Sequence, residues 1–96
     1  MGYAPKIVLE LPISDPALLE TFVEACLRDS VELIAVVGEG CVDVEDIIDQ
    51  IIVGDGTREG RFIVTSSHPN ESVADVLEFA SVLLIGRPEG VQIVKL

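Results

Sequence analysis

Two residues of this 96-residue chain could share nucleophile-and-base chemistry: Cys41, in Gly38-Glu39-Gly40-Cys41, and His68, the only histidine, in Thr65-Ser66-Ser67-His68-Pro69-Asn70-Glu71. A thiol near a helix start beside an imidazole makes a nucleophilic pair, and Cys, His and carboxylates together bind zinc. Both stretches follow apolar runs that read as strands, so an α/β fold would bring them to one edge of its sheet. The candidate binding edge is Cys41, Asp43, Asp46, Thr65, Ser66, His68 and Glu71, with Ser14 and Asp15 at the loop after the first strand.

Each residue also has a plainer role. Asp15, Asp43 and Asn70 stand where helix caps belong, Ser66 and Ser67 suit a turn, and Cys41 is small enough for any loop. A histidine before a proline commonly bonds a nearby backbone group. No residue is therefore assigned a catalytic role, and no metal or cofactor is expected. Phosphate chemistry is disfavoured further: no Walker lysine exists, and Glu39 and Asp43 would repel a phosphate at Gly38-Glu39-Gly40. A phosphorylation receiver is excluded by Leu11-Pro12 and Thr65-Ser66, which stand where the acidic residues are needed.

The elements that must position these residues alternate. Lys6 to Leu11 reads as a strand, with Ile7, Leu9 and Leu11 on one face and Lys6, Val8 and Glu10 on the other, partly wet near its end. Asp15-Pro16 starts a helix whose buried face is Leu19, Phe22, Val23 and Cys26. Val31 to Val37 is a second, wholly buried strand. Asp43 caps the next helix, with Val44, Ile47, Ile48, Ile51 and Ile52 as its apolar stripe, and Gly54-Asp55-Gly56 ends it. Phe62-Ile63-Val64 is expected as a third strand buried on both faces, ended by Thr65 to Ser67. Asn70 caps a third helix that buries Val73, Val76, Leu77, Ala80 and Leu84 and stops at Gly86 and Pro88. Val91 to Leu96 closes the chain as a fourth strand. The pattern β-α-β-α-β-α-β predicts one α/β domain over residues 1–96, with a four-stranded, mainly parallel sheet, helices on both faces and strand order 2-1-3-4.

Composition agrees. With 49% hydrophobic residues and only four aromatics, the core is built from Val, Ile, Leu and Ala, as in a parallel sheet under helices. Ninety-six residues suffice for one core but leave little for an elaborate cleft, which favours a non-enzymatic reading. No apolar run approaches the length of a membrane span. The amino terminus lacks a signal-peptide layout, Lys6 breaks the myristoylation pattern, and the two cysteines lack a C-x-x-C spacing, so the expected location is the cytoplasm.

Charge points to partners. Six basic against seventeen acidic residues give a formal net charge of −11, which excludes nucleic acid and anionic membrane. From Asp29 to Asp55 there are eight carboxylates and no basic residue. That belt either keeps a solvated helix face soluble or docks a basic protein through salt-sensitive association. Three helices cannot fully cover both faces of a four-stranded sheet, so a homodimer is also expected.

The turn Gly38-x-x-Cys41 followed by Asp46-x-x-Asp49, with Thr65-Ser66-x-His68-x-x-Glu71-Ser72 and Val76 and Phe79 beyond it, resembles a family of small bacterial α/β proteins of unknown function. In that family aromatic residues often stand where this chain has Ser67 and Val44. The resemblance implies the α/β fold and draws attention to Cys41, Asp46, His68 and Glu71 without bringing a reaction. Two functions follow from the sequence: an acidic, self-associating interaction module, or a small hydrolase or metal-binding protein using His68 with Cys41 and nearby carboxylates.

Overall fold

A computed structural model of the chain describes residues 2–54, 62–82 and 90–96. Four strands alternate with three helices: β1 Lys6–Glu10, α1 Ala17–Arg28, β2 Leu33–Val37, α2 Cys41–Val53, β3 Val64–His68, α3 Val73–Val82 and β4 Val91–Val94. All three strand pairings are parallel, as expected where each strand is followed by a helix that returns the chain before the next one. One α/β fold with helices on both faces is therefore the architecture that the alternating sequence demands.

The strand order is β3-β2-β1-β4, which corrects the expected 2-1-3-4. The reason lies in polarity. Leu33–Val37 is buried along its whole length, so β2 takes an inner place between β1 and β3. The third strand carries Thr65, Ser66, Ser67 and His68, and such a strand belongs at an edge, where one neighbour suffices. Its bounds are corrected too: it runs Val64–His68, not Phe62–Val64, and Phe62 lies outside it, 74% exposed. The polar residues that were expected to end the strand are its body.

Alternation of side chains divides the core in two. Ile7, Leu9, Ile34 and Val36 face α1 and α2, packing with Leu19, Phe22, Val23, Cys26, Cys41, Ile48 and Ile52. Val8, Leu33, Ala35 and Val37 face α3, where Val76 and Ala80 cover them. Lys6 lies on this second face at the start of β1 and is fully buried, which alternation alone did not foretell.

Helix starts also shift. At α1 the cap position falls to Pro16, and Asp15, one residue before it, accepts a hydrogen bond from the Ala17 amide at 3.0 Å. By contrast, α2 begins at Cys41, preceded by Gly40 at φ +83°, so Asp43 lies inside the first turn and not at the cap. At α3 the capping hydroxyl is Ser72, whose Oγ accepts from the Asp75 amide at 3.1 Å, and Asn70 stays in the preceding turn. The expected helix stop at Gly86 and Pro88, the core position Leu84 and the residues Asp55 and Gly56 lie outside the described residues. Among the described residues, no helix is long and apolar enough to cross a membrane.

Candidate functional site

His68 is the last residue of β3 and pairs with Val37, so its ring enters the α3 side of the sheet. There it lies against Phe79 of α3, ring centroids 4.7 Å apart and tilted by 59°, and only 6% of the residue is exposed. Both ring nitrogens are engaged. Nε2 is 2.9 Å from Ser66 Oγ, and Nδ1 is 2.8 Å from Glu71 Oε2. The spacing explains the contacts: Ser66 stands two residues earlier on the same face of the strand, and the Pro69–Asn70 turn folds Glu71 back onto the ring. In the tautomer protonated at Nδ1, the imidazole N–H donates to the carboxylate and the serine hydroxyl donates to Nε2.

A hydroxyl, an imidazole and a carboxylate in series have the order of a nucleophile, its base and the group that orients the base. Here the series is contained within six residues, and it ties the end of β3 to the start of α3. Phe79 covers the ring. Among the described residues no buried side-chain nitrogen or oxygen lacks a hydrogen-bond partner, and the two ring nitrogens are satisfied within the series itself.

Thr65, one residue earlier than Ser66, points to the opposite face. Its Oγ1 lies 2.7 Å from Asp49 Oδ1 and 3.0 Å from Glu45 Oε2, both on α2 one helical turn apart. This hydroxyl fastens the edge strand to the helix. Neither carboxylate was singled out from sequence as its partner; the available signal was the i, i+4 spacing of Glu45 and Asp49, which places them on one side of the helix.

Cys41 is elsewhere. It opens α2 with 1% exposure and packs in the core between the sheet and α1 and α2, on the face opposite to His68. The two residues are therefore on different sides of the sheet, and the expected thiol–imidazole pocket is not assembled. Among the described residues no group of three or more His, Cys, Asp or Glu side chains could hold a metal ion. Cys26 is just as enclosed, and burial, with Asp29 nearby adding to it, pushes its thiol up to about 12. Both cysteines are free thiols serving as core side chains.

Asp43 and Asp46 have a different fate, standing exposed on the outer side of α2 with Asp49 and Gln50. Interleaved with them are Val42, 51% exposed, Ile47, 45%, and Val53, 60%. Val42, Asp46, Asp49 and Val53 fall at positions i, i+4, i+7 and i+11, a single stripe with carboxylates between two apolar ends. Ile47, expected inside, belongs to this outer surface because the buried arc of α2 centres on Cys41, Ile48 and Ile52.

Beside Ile47 the surface dips into a groove of about 260 Å³ at the carboxyl end of β1. Leu11, Pro12 and Ile13 line it together with Leu19, Val44 and Ile47, and Glu39 is the one ionisable lining residue among those described. Two loops meet closely here. The Leu11 amide donates to the Val37 carbonyl at 3.0 Å, and a Cβ on Gly38, whose φ is +121°, would come within 3.0 Å of Leu11 Cβ.

The seven candidate residues thus divide: Ser66, His68 and Glu71 join one another, Thr65 joins α2, Asp43 and Asp46 face outward, and Cys41 is core. Comparison with curated proteins and with solved structures yields no match to either. A family model does match, over residues 6–92, from the start of β1 into β4 and across every candidate residue. The chain accordingly belongs to the family described as Domain of unknown function (DUF7684).

Proposed function

We propose that this protein is a non-enzymatic interaction module whose outer α2 face docks a basic protein partner. The observation that carries the reading is the composition of that face, where exposed Asp43, Asp46 and Asp49 stand among exposed Val42, Ile47 and Val53. Three exposed aliphatic residues on one helix put apolar contact area directly beside its charges. A docking surface needs both, because apolar contact supplies affinity while charge steers the encounter and selects the partner. No basic residue occurs from Asp29 to Asp55, so every charged side chain on α2 is a carboxylate. The expected partner presents a helix or strand with lysine or arginine spaced between aliphatic residues. Two buried free thiols suit a reducing compartment, and we place the protein in the cytoplasm.

Self-association is part of the same reading. Val82 at the end of α3 and Ile93 on β4 leave apolar area on the other side of the molecule, 68% and 45% exposed, which a second copy would cover. Sedimentation at micromolar concentration is expected to show a dimer; a monomer at all concentrations removes this part and leaves the α2 face untouched.

Docking is tested with a fluorescently labelled amphipathic peptide of lysine and leucine, followed by anisotropy as salt is raised. Binding is expected at low salt, weakening steeply as screening shortens the range of the charges. Neutralising two carboxylates on α2, Asp43→Asn with Asp46→Asn, is expected to weaken it by roughly tenfold. Neutralising two elsewhere, Glu20→Gln with Glu78→Gln, leaves it within about twofold. Equal losses from the two pairs would mean that only net charge matters, and the docking reading would fail.

A further inference from the structure

The groove beside Ile47 joins an aliphatic lining to a lone carboxylate, Glu39. Resting on the docking reading above, we infer that it is the anchor pocket of that interface and that it receives a single arginine side chain from the partner. Three features select this occupant. The volume, about 260 Å³, falls below the roughly 300–1,000 Å³ usual for small-molecule and cofactor sites, so it suits one long side chain. The lining is aliphatic and proline-rich except at Glu39, which matches a side chain with an apolar stem and a charged head. A guanidinium is also more weakly hydrated than an ammonium and pairs with a carboxylate through two parallel hydrogen bonds, which favours arginine over lysine.

The groove is continuous with the proposed face, since Ile47 belongs to both, and Asp43 stands on the neighbouring turn of α2. Its shape is built into the backbone. Gly38, held left-handed with Leu11 against it, lets the loop after β2 close onto the loop after β1 and set the position of Glu39. Interfaces commonly concentrate affinity in one such central side chain, with arginine among the commonest.

The test uses N-acetylarginine amide as the probe, added to the nitrogen-15-labelled protein and followed by amide shifts. Saturable shifts are expected at Glu39, Gly40, Val44 and Ile47, with binding weakened roughly fivefold by Glu39→Gln and by replacing the probe with N-acetylnorleucine amide. The Glu78→Gln protein is expected to bind the probe within about twofold of the unaltered one, because Glu78 stands exposed on α3 and does not line the groove. Shifts spread over all acidic residues, or equal binding of the norleucine probe, would overturn the arginine assignment. If arginine binds the groove while the amphipathic peptide fails to use α2, the pocket stands and the docking reading falls; the reverse result separates them the other way.

Discussion

The turn from β3 into α3 and the outer face of α2 use the same kinds of residue to opposite ends. At the turn, Ser66, His68 and Glu71 spend their hydrogen bonds on one another, and Phe79 seals the ring. On α2, Asp43 and Asp46 face water beside uncovered Val42 and Ile47. Chemistry-bearing residue types therefore say little until their partners are known: the segment that most resembles an active site is satisfied internally, whereas the helix that resembles none faces outward. Glu45 and Asp49 sit at the boundary, drawn from α2 towards the sheet by Thr65.

Removing the imbalance at each site gives a graded set of outcomes. The largest effect is expected from His68→Ala, which deletes a buried ring and strands Ser66 and Glu71; a loss of about 3 kcal/mol in urea unfolding is expected, with binding of the amphipathic peptide by the folded protein unchanged. A loss below about 1 kcal/mol would mean that the turn is not a structural lock and would return the three residues to the list of reactive groups. Next comes Gly38→Ala, which forces a side chain into a left-handed conformation against Leu11 and is expected to cost about 2 kcal/mol; Gly40→Ala, at φ +83° with nothing within 4 Å of its added carbon, should cost about half as much.

The core thiol supplies a pH-dependent outcome. The Cys26 thiol stays neutral in the folded protein up to about 12, against an ordinary value of 9.0, so the unfolded chain ionises first as pH rises. The stability this residue contributes is present below pH 9.0 and is lost progressively between 9.0 and about 12. Cys26→Ala is expected to flatten that part of the stability profile, measured as the difference between the two proteins in urea; parallel profiles would show that Cys26 is not the titrating group. The smallest stability change is expected from Asp43→Asn with Asp46→Asn, within about 0.5 kcal/mol, since exposed carboxylates of one sign stabilise a fold little. A large loss there would assign the α2 face to folding instead of docking.

Much of this was legible in the chain. Alternating apolar runs and helix starts announce the α/β fold because parallel strands require intervening helices, and the buried faces of α1 and α3 follow their three-and-four spacing at Leu19, Phe22, Val23 and Cys26 and at Val76 and Ala80. Sequence puts the third strand at Phe62-Ile63-Val64 because that is the most apolar run in its region, while the strand itself is an edge strand whose polar side chains find partners on α2, within the strand and in the turn after it. The Ser66–His68–Glu71 series was hidden for the same reason: a two-residue separation brings side chains together only if the segment is extended, and these residues read as a turn. Cys41 and His68 were grouped by sheet edge, which sequence can suggest, but the face of the sheet depends on register, which it cannot.

Hydrogen–deuterium exchange of the protein with and without the amphipathic lysine–leucine peptide addresses the division between these two regions directly. Slower exchange is expected along α2, residues 41–53, and in the loop holding Glu39, with residues 64–72 unchanged. Protection at 64–72 with none on α2 would contradict the account, and would make the turn at His68 the working surface of the molecule.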